Sequence, residues 1–264
     1  MDVSNRDAVF AFAEDVRRTH GRCELVFNIA GVASSCGFDQ VDMEEIDKVM
    51  AINLGGTIHT AKAFLPLLKS CDRAGLVTMS SIGGILACPG SSAYCLSKFA
   101  IRGLSESLLL ESAELYPRVQ ISCVYPGLIQ NSFLANSSVH MLDSGIRVMG
   151  SKRPFVAMKD IDRALRLVGS TNPRDAATQI IDGIRSGRNR ILVGSDVKIL
   201  DLVVRAFPSL LYQPWIFKIV LIITILVTRL CGRRVVFAAT ISAFVYLYSR
   251  EFARIAKSSS SNMR

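Results

Sequence analysis

At 264 residues, half of them hydrophobic and with a mean hydropathy of +0.35, the chain can hold one α/β domain and an apolar appendage. Its net charge of +9 comes from scattered Lys and Arg, with no basic stripe interleaved with aromatics, which argues against nucleic acid as a partner. Seven cysteines without a C-x-x-C pair point to a reducing compartment, and three histidines without ligand spacing leave no metal site to propose.

The first predicted element is a helix opened by Ser4, with Asp7 three residues on completing a capping-box pattern. Val9, Phe10, Phe12, Ala13 and Val16 supply its buried face. A strand follows at 23–28, running into Asn28-Ile29-Ala30-Gly31. The region 43–69 reads as helical, contains Asn53, and is interrupted by Gly55-Gly56. A strand at 75–80 leads to Ser81 in a small-residue turn, and a helix at 92–115 carries Tyr94 and Lys98. Leu104, Leu108, Leu109 and Leu115 give that helix a broad apolar face. The strand at 119–124 ends in Tyr125-Pro126-Gly127. Residues 128–172 mix apolar and polar character. A helix at 174–186, between Pro173 and Gly187, precedes a last strand at 190–194.

Tyr94 and Lys98 carry the most information. Four residues apart at the start of a helix, they share one face, so the ammonium can sit beside the phenol. A free phenol titrates near 10, and an adjacent cation favours phenolate and brings it toward the working range. A strand-end Ser81 could converge on the same point.

Taken in order, Asn28 to Gly31, Asn53, Ser81, Tyr94 with Lys98, and Pro126-Gly127 resemble the short-chain dehydrogenase/reductase family over about residues 2–127. The resemblance implies an α/β fold, a doubly wound, Rossmann-type parallel sheet, and NAD or NADP as cofactor. It implies Tyr94 as acid/base, and Lys98 lowering its pKa and holding the nicotinamide ribose. Ser81 would orient the substrate oxygen, and Asn53 would fix a water that connects Lys98 to solvent. Asn28, Ala30, Gly31, Pro126 and Gly127 would line the cofactor cleft. Met1 to Ser4 would be the end of the family's third strand, with Asp2 at the adenine.

Two departures stand out. The family's opening strand, Gly-rich turn and helix, whose N-terminus receives the pyrophosphate, have no counterpart ahead of residue 24. The sheet is therefore expected to lack its first strands, leaving Leu25, Val26 and Phe27 as an uncovered apolar edge. The residue that selects between NAD and NADP is lost with them. Asn131 also stands where the family often has Thr.

The other departure is the C-terminal end. The run 210–227 is apolar but for Gln213, Lys218 and small polar residues, and 235–248 is uncharged. These read as hydrophobic helices forming a membrane anchor, either a tight hairpin entering one leaflet or a single span with an interfacial helix, with a basic tail behind them. The expected domains are 1–198 (catalytic), 199–257 (membrane-associating) and 258–264 (disordered). The catalytic domain would face the cytosol, at the endoplasmic reticulum in a eukaryote. The expected activity is interconversion of a secondary alcohol and a ketone on a lipophilic small-molecule substrate, by a homodimer paired through the leucine face of residues 92–115. The alternative is a truncated, non-catalytic relative acting as a membrane-bound dimerisation partner.

Overall fold

The computed structural model describes residues 1–34, 37–88, 90–130, 171–206 and 208. The chain divides into two units, Met1–Val197 and Lys198–Arg264.

Helix α1, Arg6–His20, is capped by Asn5 and not by Ser4: Asn5 Oδ1 accepts the Ala8 N–H at 3.0 Å. Ser4 is otherwise engaged, because its N–H and hydroxyl both donate to the Asp2 carboxylate, at 2.9 and 2.8 Å. That local turn takes the place of the expected strand end; residues 1–4 join no ladder. Gly21, left-handed at φ 71°, closes the helix with its N–H on Arg17 O. Val9 and Ala13 are buried as expected, whereas Phe10 and Phe12 are about half exposed. Phe10 lies off the i, i+4 row, and Phe12 stands with its ring 5.9 Å from that of Phe64.

Strand β1 is Leu25–Asn28, and α2 is Met43–Met50. The interruption expected at Gly55-Gly56 is a π-turn over Ala51–Gly55, after which α3 runs Gly56–Lys69. Gly56 has a packing reason to be glycine: a Cβ there would lie 2.6 Å from Val3 Cγ2. Strand β2 is Ala74–Met79, α4 is Ser92–Leu115 and β3 is Val119–Pro126. Then come α5 at Pro173–Arg185, β4 at Arg190–Val193 and α6 at Ser195–Ala206.

The four strands among the described residues are all parallel, in the order β1-β2-β3-β4. Central β2 and β3 are apolar on both faces, as a sheet covered on both sides requires. On one face Val26, Leu76 and Ile121 stand in register and pack with Ala61, Phe64 and Leu68 of α3 and Ala13 of α1. On the other, Val77, Val124, Ile191 and Val193 pack with Ala176 of α5. Strand β1 is an edge, as expected, and Leu25 and Phe27 remain 44% and 41% exposed.

Of the expected leucine face, Leu115 is exposed, while Leu108 and Leu109 pack partly on the core. In the second unit the described residues are the rest of α6 and residue 208, with Arg205 paired to Asp201 at 3.1 Å. Asn131, most of the segment 128–172 and both apolar C-terminal runs lie outside the described residues. Among the described residues no helix is long and apolar enough to cross a membrane.

Candidate active site

In an open parallel sheet, the carboxyl ends of the strands form the crevice where ligands bind. Here Asn28 ends β1, Met79 ends β2 just before Ser80 and Ser81, and Pro126 ends β3. Helix α4 starts beside them, and its first turns carry Tyr94 and Lys98.

Ser81 is buried and caps a short 3₁₀ turn, its Oγ accepting from Gly83 N at 3.2 Å. It is also hydrogen-bonded to the Tyr94 hydroxyl, so the strand-end hydroxyl and the helical phenol do converge. Gly83 makes room for the ring: a Cβ there would lie 3.1 Å from Tyr94 Cε1. Burial pushes the Tyr94 phenol up to about 12, which the Ser81 hydrogen bond only partly offsets. This corrects the expectation of a lowered phenol pKa. The neighbouring cation is not aimed at the phenolic oxygen: Lys98 Nζ lies 5.6 Å from the Tyr94 ring centroid and donates to Met79 O at 2.9 Å.

Lys98 is 3% exposed, and burial brings its ammonium down to about 8. A buried cation is stabilising only when its donors find acceptors. One N–H is taken by Met79, leaving two for a ligand.

Asn53 is fully buried inside the π-turn, a feature often found at functional sites. Its Oδ1 accepts Val32 N at 2.8 Å, while Nδ2 donates to Val32 O and to Ser97 Oγ, each at 2.9 Å. Both amide donors are thus used, and the side chain ties the loop after β1 to α4. A water at Asn53 has only the remaining acceptor capacity of Oδ1.

The loop itself is fitted to this cluster. A Cβ on Gly31 would lie 3.1 Å from Asn53 Oδ1 and 3.3 Å from Lys98 Nζ, so the glycine leaves a space floored by a cation and an amide. Asn28 is buried and donates to Gly56 O at 3.3 Å; Ala30 is exposed at the loop surface. Asp2 is exposed, its carboxylate directed to Ser4, and is not drawn into the cluster.

Two participants escape sequence reasoning. Ser97 accepts from Asn53 and donates to Tyr94 O at 2.7 Å, joining the two candidates through a residue that reads as a mere helix filler. Asp196, buried at the start of α6, accepts Leu128 N at 2.6 Å and fills the space beside Gly127 and Gly194. It holds the Pro126-Gly127 loop from 68 residues away, and the only hint in the sequence is its place in the first turn of a helix.

The residues present fit the nicotinamide-ribose end of a dinucleotide: a glycine-lined space, a lysine with donors to spare and a phenol–hydroxyl pair beside it. Among the described residues ahead of β1 the one glycine, Gly21, closes α1.

Comparison with known proteins places this arrangement. The short chain dehydrogenase family model matches residues 1–142. The SadH protein of Mycobacterium tuberculosis is 32% identical over 209 residues, 79% of this chain and 71% of that protein. A 3-ketodihydrosphingosine reductase from Bacteroides thetaiotaomicron is 30% identical over 54% of this chain and 52% of its own length. Estradiol 17-beta-dehydrogenase 11 of Mus musculus is 26% identical over 81% of this chain and 63% of that protein. In fold, the chain is similar to a Burkholderia phymatum short chain dehydrogenase/reductase solved in complex with NAD, with a TM-score of 0.65 and 23% identity. That match covers 83% of this chain and 75% of the other. The chain belongs to the short-chain dehydrogenase family, the NAD(P)-dependent oxidoreductases.

Proposed function

We propose that the chain interconverts a lipophilic secondary alcohol and its ketone, with Tyr94 as the proton-transferring group. The observation that carries this is the hydrogen bond between Ser81 and Tyr94, set beside a buried Lys98. Bound in the cleft, the nicotinamide would supply or take the hydride at the reacting carbon. Ser81 would hold the substrate oxygen within reach of the phenol. Tyr94, kept neutral by burial, is in the form that can donate a proton to a carbonyl oxygen. Lys98 would place its remaining donors on the ribose. Asn53 acts through the loop and α4, fixing where Gly31 and Tyr94 stand. Asn28, Ala30, Gly31, Pro126 and Gly127 line the cleft in this reading, and Asp2 contributes least.

The lipophilic substrate is supported by the apolar side chains of the segment 128–172 and by relatives named for a ketosphingoid base and a steroid. The apolar runs 210–227 and 235–248 support attachment to a membrane, with the catalytic unit on the cytosolic side, and exposed Leu115 on α4 is consistent with a homodimer. The test is oxidation of NADH and NADPH by this chain, in detergent, with ketones of rising chain length. Turnover that climbs with chain length supports the reading. If neither nicotinamide binds while the chain associates stably with a full-length relative, the non-catalytic partner is the better account.

A further inference from the structure

Cys88 and Cys95 take part in no step above, yet they are a pair. Cys88 is exposed on the segment that follows the Ser81 turn, and Cys95 is buried on α4 directly after Tyr94. The Cys88 N–H donates to Cys95 Sγ at 3.4 Å, the Cys88 thiol donates to Leu86 O at 3.8 Å, and the two thiols are near enough to shift each other's titration. A sulfur that close to the backbone nitrogen of the other cysteine leaves a rotation of the Cys88 side chain as the movement needed to bring the two thiols together. The same small residue accommodates both neighbours, since a Cβ on Gly83 would lie 3.6 Å from Cys95 Sγ and 3.1 Å from Tyr94 Cε1. Cys71 Sγ is held by two backbone carbonyls, Cys23 O and Leu67 O, each at 3.5 Å, where Cys88 Sγ has the one longer contact to Leu86 O at 3.8 Å.

The two thiols are not equivalent. Cys95, with the Cys88 thiol beside it and the Cys88 N–H on its sulfur, is brought down to about 7, while the Cys88 thiol is pushed up. That is the division expected between an attacking and a resolving cysteine.

We propose that Cys88 and Cys95 are a redox-active dithiol that hydrogen peroxide converts to a disulfide, linking the segment after Ser81 to the helix that carries Tyr94. Cys95 sulfur attacks one peroxide oxygen, the O–O bond breaks, and the other oxygen leaves as water with the displaced proton, giving a sulfenic acid. Cys88 sulfur then attacks the sulfenic sulfur, the S–O bond breaks, and a second water carries away the hydroxyl and the Cys88 proton. Two thiols lose two electrons and one peroxide gains them.

The experiment treats the purified chain with hydrogen peroxide, quenches at low pH, alkylates under denaturing conditions and maps the peptides. The expected product is a peptide joining residue 88 to residue 95, lighter by two hydrogens and reopened by dithiothreitol. In Cys88→Ala, with no resolving thiol, Cys95 is expected to advance to sulfinic acid, a readout that also reports its reactivity in a folded chain. The inference is overturned if both cysteines of the treated wild type are recovered alkylated, or if either is bonded to a different cysteine. Because the map reads the bond and not turnover, its outcome is separate from that of the proton-transfer role of Tyr94.

Discussion

The carboxyl ends of β2 and β3 and the flank of β1 invert the usual rule of burial. At the first, Lys98, Asn53 and Ser81 are buried, each with named hydrogen-bond partners. At the second, Leu25, Phe27 and Ile29 are exposed at 44%, 41% and 60%. Side-chain polarity does not decide the difference; cover does. Leu76 and Leu25 are both leucines on this sheet, but Leu76 packs in the core with α3 and is 1% exposed, while Leu25, on the edge strand and the opposite face, is 44% exposed. The polar cluster, for its part, is retained at an energetic cost that packing alone does not explain, which is the pattern of a site.

The comparison can be sharpened by substitution, beginning with the largest change in stability. Leu76→Ala is expected to lower the unfolding free energy by about 3 kcal/mol, whereas Leu25→Ala changes it by less than about 1 kcal/mol. Urea denaturation of the two variants side by side reads the contrast, and equal losses would mean that the β1 flank is covered.

Next in size is the pH dependence contributed by Lys98. Its folded pKa of about 8 lies below the ordinary lysine value of 10.5, so the folded state sheds the proton first. Between these values the unfolded state binds more protons, and stability rises with pH by up to about 3 kcal/mol, the gain being absent below pH 8. The raised pKa of Tyr94 opposes this rise only above about pH 10. The difference between wild type and Lys98→Met, followed by denaturation midpoints from pH 7 to 10, isolates the contribution; parallel curves would contradict it.

Smaller again is Gly127→Ala. The added methyl would run into the Asp196 carboxylate that holds Leu128 N, with an expected loss of about 2 kcal/mol. Asp196→Asn/Gly127→Ala should not recover it if the obstacle is volume, and thermal melts of the single and double variants decide this.

Much of this was legible in the sequence because local rules are strong there. Helix α4 begins and ends where expected, and β1 stands at the edge of the described sheet as expected. Ser81 and Tyr94 could be paired by resemblance, since a strand end and a helix start bring them together. What was not legible depends on three-dimensional competition for hydrogen bonds. Asn5 takes the cap from Ser4 because Asp2 captures Ser4 first. Lys98 turns to a backbone carbonyl that no spacing rule reveals, and so leaves the phenol pKa to burial. Asn53 is satisfied by Val32 and Ser97, and Asp196 reaches a loop far away in sequence.

The most direct measurement is the single-turnover rate of nicotinamide oxidation with a lipophilic ketone, wild type against Tyr94→Phe, which keeps the ring against Gly83 and removes only the hydroxyl. Loss of the proton donor predicts a fall of about 10³-fold with nicotinamide affinity retained. A Tyr94→Phe chain that reduces the ketone as fast as wild type would contradict the assignment of Tyr94.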